Sequence, residues 1–439
     1  MLTKTSRFAN LLSNLDQKEG RTVGRLGDSI TLSSHFQPIY SLSHARVVGH
    51  EALLRAHHAD GRYIPPPDVF KACRDLTELS WCDSLSRVLH LSNYVADLPA
   101  AQWLFLNVHP DTSQALFGRA NQSYVQEVLD HFQISGGKVV IEVLESAVQD
   151  AGELRDSTEV LRQHGCLIAI DDFGAGHSNF DRVWNLKPDI VKLDRSLVER
   201  AALDPRSRRI VIQMVSLLHE CGAMVLMEGV ETLDEALLAM EADADMVQGY
   251  YFGRPQLAMM PDGHAPESLT SLYTGLSQRR KDEAKAQRLQ LAPYLNAIGN
   301  TGVLLSAGRP IEEASRGFIE LASTELCYVL NSEGYQISRP IWALDRGTDA
   351  HLAYEPLSDT EGGCWARRPY FRRAVESPGK VHVTAPYRTL HGTHTCVTVS
   401  YAFYQQQGTE RELCVVCGDL IWDQGSLQEC QPRSTKTAL

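Results

Sequence analysis

Residues 166–194 read CLIAIDDFGAGHSNFDRVWNLKPDIVKLD. An apolar, β-branched run stops at paired acids and a glycine-bearing turn. After an intervening stretch a second run stops at a lysine and another acid. Short apolar runs bounded by turn formers read as buried strands. Outward from this unit the same pattern appears in HFQPIYSL (35–42), VVGHEALLR (47–55), WLFLNVHP (103–110), KVVIEVLES (138–146), MVLMEGVE (224–231) and MVQGYYF (246–252). Amphipathic stretches such as DVFKACRDL, ELRDSTEVLRQHG and SRRIVIQMVSLLHECG lie between most of them, the last ending at Gly222 as a C-cap.

Eight strands alternating with helices favour an α/β, TIM-like barrel over an open sheet. Only a short connection joins 35–42 to 47–55, which suits an antiparallel hairpin and not a crossover helix. The barrel is therefore expected to be antiparallel at its first strand. Residues 268–298 are charged and helix-forming, with a break expected near Pro293, and a smaller α+β domain with an antiparallel sheet follows. The boundaries expected are an N-terminal extension (1–25), the barrel (26–262), a helical linker (263–299), the second domain (300–424) and a disordered tail (425–439).

Composition narrows the function classes. Of 439 residues, 43% are hydrophobic and 22% charged, as in globular protein. The formal net charge of −12 argues against a nucleic-acid polymer or an acidic membrane as partner. No apolar run reaches membrane-spanning length and the N-terminus lacks signal-peptide features. Cys414 and Cys417 form one CxxC inside a strand-like run, with no second pair, so core packing is expected there and not zinc. A reducing compartment, the cytoplasm, follows.

The chemistry lies in what ends each strand: Glu51, Asn107, Glu142, Asp171 with Asp172, Lys192 with Asp194, Glu228 with Glu231, and Gln248. In a TIM-like barrel these ends meet at one face. Carboxylates so crowded must raise their pKa values or bind cations. All the donors are oxygen, which suits Mg²⁺ or Mn²⁺ over Zn²⁺. The number of acids suits two ions sharing an aspartate, which would activate a water and stabilise both oxygens of an in-line phosphoryl displacement. Lys192 would orient that water or simply pair with a neighbouring acid. Taken singly, each of these residues also reads as a cap or a turn; the joint pattern is what points to metal.

These residues also carry a resemblance. Glu51-Ala52-Leu53-Leu54-Arg55, Phe36-Gln37-Pro38-Ile39, Leu106-Asn107-Val108, Ile141 to Ser146, Asp171-Asp172-Phe173-Gly174, Val191 to Asp194, Glu228 to Glu231 and Gln248-Gly249-Tyr250 are similar, in order and spacing, to the EAL-domain cyclic di-GMP phosphodiesterases. The resemblance implies hydrolysis of this bacterial second messenger to linear pGpG by a cytoplasmic homodimer. It implies that Glu51, Asn107, Glu142 and Asp171 hold one divalent cation, and that Asp171 bridges to a second held by Asp172 and Glu228. Lys192 would hold the hydrolytic water with Asp194 nearby, Glu228 is a further catalytic candidate, and Glu145 would brace the loop after the paired acids. Gln37, Leu53, Arg55, Glu231 and Gln248 would contact the substrate. His50 and Ala175 depart from the family's usual residues without removing a ligand. The alternatives are a receptor that holds cyclic di-GMP uncut and signals through the second domain, and an interaction scaffold. No cyclase signature accompanies the barrel. Residues beyond 300 resemble PAS/Cache-like regulatory domains, where Arg367, Arg368, Tyr370 and Tyr387 would line a small-ligand pocket or else serve packing and a dimer interface.

Overall fold

The computed structural model describes residues 7–27, 29–97, 101–112, 122–144, 158–176, 180–343, 360–389, 395–407, 410–423 and 426–427. The chain divides into two compact units, Met1–Gln278 and Arg279–Leu439. The expected tail falls almost wholly outside the described residues.

In the first unit the strands are β1 (Leu15–Lys18), β2 (Arg21–Leu26), β3 (Ile30–Ser41), β4 (Arg46–His58), β5 (Tyr63–Ile64), β6 (Trp103–Asn107), β7 (Val139–Leu144), β8 (Leu167–Phe173), β9 (Ile190–Leu193), β10 (Met224–Met227) and β11 (Met246–Val247). The order β3-β11-β10-β9-β8-β7-β6-β4 closes on itself through β3–β4, giving an eight-stranded barrel. Within the barrel β3 is antiparallel to both neighbours, whereas β4 and β6 through β11 run parallel. The hairpin read from the short connection is thus the antiparallel start of the barrel. Residues assigned to an extension form helix Arg7–Leu12 and the β1–β2 hairpin, which continues the sheet beyond β3.

Strand alternation builds the barrel interior in layers. Ile39, Phe105, Val140, Ala169, Ile190, Leu226 and Met246 form one apolar cluster inside the barrel, all nearly inaccessible to solvent. At β4 the equivalent place is Gly49, where an added Cβ would lie 3.1 Å from the Phe105 ring. Two residues further on, each parallel strand presents its next inward side chain: Glu51, Asn107, Glu142, Asp171, Lys192, Glu228 and Gln248. On antiparallel β3 the step runs backward, from Ile39 to Gln37. A polar layer therefore caps an apolar plug, and the alternation that creates one creates the other.

In the second unit β12 (Thr324–Leu330), β13 (Ile341–Trp342), β14 (Val381–Val383), β15 (Tyr387–Arg388), β16 (Thr395–Gln407), β17 (Glu410–Asp423) and β18 (Ser426–Leu427) form an antiparallel sheet around β12, β17 and β16. Apolar cores cover both of its faces. Cys414 packs in one and Cys417 in the other, because residues three apart on a strand point to opposite faces. The pair therefore packs core and cannot chelate one ion.

One expectation fails. The helix does not break at Pro293 but runs unbroken from Glu267 to Ser306. Leu291, Tyr294, Ile298 and Leu305 are buried on one stripe in the second unit's core, and that packing outweighs the hydrogen bond proline removes. The C-terminal end of the expected linker thus contributes Leu291, Tyr294 and Ile298 to the core of the second unit.

Candidate metal centre

Lys192 stands at the middle of the polar layer, 1% exposed. Its Nζ lies 2.5 Å from Glu142 Oε1, 2.7 Å from Glu228 Oε1, 3.0 Å from Asp171 Oδ1 and 3.9 Å from Glu51 Oε2. Glu51 also accepts from Asn107 Nδ2 at 2.8 Å and from Gln248 Nε2 at 2.6 Å. Gln248 Nε2 further donates to Gln37 Oε1 at 3.2 Å. The barrel thus gathers eight of the sequence-selected residues into one network or its direct contacts.

Asp172 joins by a different route. Its neighbour Asp171 already faces inward, so simple alternation would turn Asp172 away. The β8–β9 register shifts between Ile170 and Phe173, and Asp172 takes φ 56°, a left-handed conformation unusual for a residue other than glycine. This bulge re-aims the second acid. Ligand atoms of Asp171, Asp172 and Glu228 lie within 4.8 Å of one another.

The electrostatics follow from burial. Glu142 is pushed well above the usual carboxylate range by desolvation, Lys192 notwithstanding. Glu228 is pushed up to about 8, first by burial and then by Asp171 and Glu51 against the pull of Lys192. Asp172 rises to about 6 through burial, Asp171 and Asp194. Burial opposes the charge on Lys192, yet Asp171, Glu142 and Glu228 together hold its pKa well above the ordinary lysine value.

Five carboxylates therefore share one ammonium, and Glu142 Oε2 is buried without a hydrogen-bond partner. A buried, orphaned carboxylate oxygen in a surplus of negative charge fits a divalent cation. With Nδ2 of Asn107 turned to Glu51, its Oδ1 is the atom left for such an ion. The donor set is oxygen throughout, matching hard cations.

The remaining expected residues lie at the edge. Leu53 and Arg55 line a cavity of about 610 Å³ that Asn107 also lines. Glu231 is bound to Arg195 at 2.7 Å, and Asp194 caps helix Arg195–Leu203 by accepting from Ser196. Glu145 lies outside the described residues. The uncommon His50 is fully buried, pushed down to about 4 chiefly by desolvation, and accepts from the Met260 backbone, so it serves as a neutral anchor. In the second unit the Arg368 guanidinium stands 5.5 Å from the Tyr387 ring, and Tyr370 is buried and accepts from Tyr328, while Arg367 is exposed.

Sequence reading did not single out the other cavity residues: Phe70, Asp83, Ser86, His90 and His109. The available signal was Asp83 and Arg87, charged residues of opposite sign one turn apart on the helix.

Gly249 holds two strand-end loops together. A Cβ there would fall 2.1 Å from the Val230 carbonyl oxygen and 2.3 Å from its nitrogen, both backbone atoms with nowhere to retreat. Gly249→Ala is expected to destabilise by about 3 kcal/mol and to unseat Gln248 from Glu51, measurable by denaturant unfolding.

Residues 25–255 match the EAL domain family. Cyclic di-GMP phosphodiesterase RocR of Pseudomonas aeruginosa is 30% identical over 241 residues, covering 54% of this chain and 59% of that protein. Cyclic di-GMP phosphodiesterase PdeL of Escherichia coli is 27% identical over 238 residues, covering 52% of this chain and 64% of that protein. The chain thus spans less than two thirds of the length of these relatives. Among solved structures, the Bacillus subtilis YkuI protein, with an EAL domain and in complex with substrate c-di-GMP and calcium, shares the fold. The match has a TM-score of 0.72 at 18% identity and covers 89% of this chain and 96% of that one. Among the described residues no helix is long and apolar enough to cross a membrane.

Proposed function

Because the chain belongs to the EAL domain family, we propose that its barrel hydrolyses cyclic di-GMP to linear pGpG and that the second unit regulates this activity. Water adds at phosphorus, one P–O3′ bond breaks, and the 3′ oxygen leaves with a proton. The observation that carries the proposal is the polar layer itself: carboxylates from four strand ends around one buried ammonium, with a Glu142 oxygen lacking a hydrogen-bond partner among the described residues.

Glu51, Asn107, Glu142 and Asp171 would hold one divalent cation, Mg²⁺ or Mn²⁺, and Asp171, Asp172 and Glu228 a second. Such ions supply charge neutralisation and an activated water. The chain's own groups do the rest. Lys192 keeps its proton across the physiological range and offers positive charge beside the phosphate. Glu228, raised toward neutrality, is able to hold a proton there. Gln248, itself bound to Gln37, fixes the Glu51 carboxylate, while Arg55 and Leu53 face the cavity where the nucleotide would lie. Asp194 and Glu231 act from the rim, the first by raising Asp172 and the second by holding Arg195. The dinucleotide-bound form is proposed to be a homodimer.

The test is to incubate the full chain with cyclic di-GMP and Mg²⁺, Mn²⁺ or Ca²⁺ and to resolve the products by chromatography. Mg²⁺ or Mn²⁺ should yield pGpG. Ca²⁺, with longer bonds and looser geometry, should support little turnover and inhibit the other two. Intact ligand with every ion would identify a receptor, and strong activity with Ca²⁺ alone would contradict the metal assignment.

A further inference from the structure

We propose that Asp83 and the Thr112 hydroxyl form a positioning unit that sets the turn after Asn107 and so governs the affinity of the acidic layer for divalent cations. The inference rests on the metal reading above. Asp83 lies on helix Leu76–Asp97, 2% exposed, with its Oδ2 2.7 Å from Arg87 Nη1 one helical turn away. The same Oδ2 accepts from the Thr112 hydroxyl, and Oδ1 accepts from the His109 backbone at 3.4 Å. The Thr112 backbone N–H in turn donates to the His109 carbonyl at 3.0 Å.

These contacts bracket Asn107. On one side strand pairing sets Asn107 opposite Glu142, and Val108 N donates to the Glu142 carbonyl at 3.2 Å. On the other side the chain turns at once into the short 3₁₀ turn Pro110–Thr112, and both the residue before it, His109, and its last residue, Thr112, are bound to Asp83. Pairing fixes where the Asn107 backbone is. The path of the turn fixes how its exposed side chain leaves the strand.

A buried ion pair contributes little net stability compared with apolar residues of the same volume. What Asp83 and Arg87 supply instead is direction, since a carboxylate already held by Arg87 offers its remaining lone pairs at defined angles. Groups that orient a ligand through a hydrogen bond typically change metal affinity about 10–100-fold when lost. Asp83 is not among the proposed cation ligands, and its route to them runs through the turn. His109, on the same turn, packs its ring 5.6 Å from Phe70 across the cavity, so one tether would also set that wall.

The experiment is a Mn²⁺ titration of the full chain by electron paramagnetic resonance without nucleotide, together with steady-state kinetics at limiting and saturating Mn²⁺. Thr112→Val keeps the side-chain volume and the Asp83–Arg87 pair while deleting the tether. It should raise the Mn²⁺ Kd about tenfold and lower kcat at limiting Mn²⁺, with kcat recovered at saturation. Thr112→Ser, which restores a hydroxyl, should behave as the wild type. A structural role alone would lower the thermal midpoint and leave the Mn²⁺ Kd unmoved; that result overturns the inference. Asp83→Asn serves as the second variant should Thr112→Val fold poorly, and an unmoved Kd there has the same meaning. A wild type that binds no Mn²⁺ at all is a different failure, that of the metal reading.

Discussion

Asp171→Asn is expected to lower cyclic di-GMP hydrolysis by a factor of about 10³ or more while leaving the fold intact. Asp171 occupies the one position that serves both proposed cation sites. It lies 3.0 Å from Lys192 and shares a cluster of ligand atoms with Asp172 and Glu228. The amide keeps the size of the carboxylate and the bulged backbone, so packing should survive. What it loses is the charge that binds a divalent ion strongly. Because the layer already carries more negative than positive charge, removing one carboxylate should not lower the thermal midpoint of the metal-free protein. The check pairs single-turnover formation of pGpG with thermal unfolding in chelator. A loss smaller than tenfold would place the shared ligand elsewhere, and inactivity accompanied by unfolding would leave Asp171 a structural residue.

The separation between activity and stability at Asp171 reflects how the site is built, and the same construction explains why so much of it was readable. Seven of the eight layer positions lie two residues beyond an apolar plug residue, or two before it on antiparallel β3. Any reading that finds the strands therefore finds the layer, and the hairpin start is written in the short connection between HFQPIYSL and VVGHEALLR. Other features have no comparable signature. The bulge that re-aims Asp172 depends on an aspartate at φ 56°, and nothing in DDFG distinguishes it from a simple turn. Pro293 reads as a helix breaker from local propensity, but tertiary burial of Leu291, Tyr294 and Ile298 decides otherwise. Asp83 meets Thr112 across a separation that strand periodicity does not encode. Local period and strand-end chemistry are legible; contacts between distant elements are not.

Lys192→Met should show the second large effect, in stability as well as turnover. The ammonium is the common partner of Glu142, Glu228 and Asp171, and taking one member from a buried ionic cluster costs about 3–5 kcal/mol. The cost should depend on pH in a defined direction. Glu228 rises from 4.5 to about 8 on folding and Asp172 from 3.8 to about 6, so the folded protein retains protons that the unfolded chain releases. Their contribution to stability is fully present below the unfolded values and is lost as pH rises through about 6 and then about 8. The contribution of Lys192 has the opposite reach: its raised pKa keeps it fully present below 10.5, so it is constant across that window. In chelator the wild type should therefore weaken from pH 5 to pH 8, and Lys192→Met should weaken further, with carboxylates pushed still higher by the missing charge. At pH 5, where Asp172 and Glu228 hold their protons, the gap between the two proteins should be smaller than at pH 8. Mn²⁺ added at pH 8 should restore much of the variant's stability, since cations then take over the neutralising role, without restoring hydrolysis. Thermal unfolding of both proteins at the two pH values, with chelator and with Mn²⁺, tests the whole scheme. Equal stability of the two proteins at pH 8 in chelator would mean that the carboxylates around Lys192 are not the strained, charge-rich layer on which the metal assignment depends.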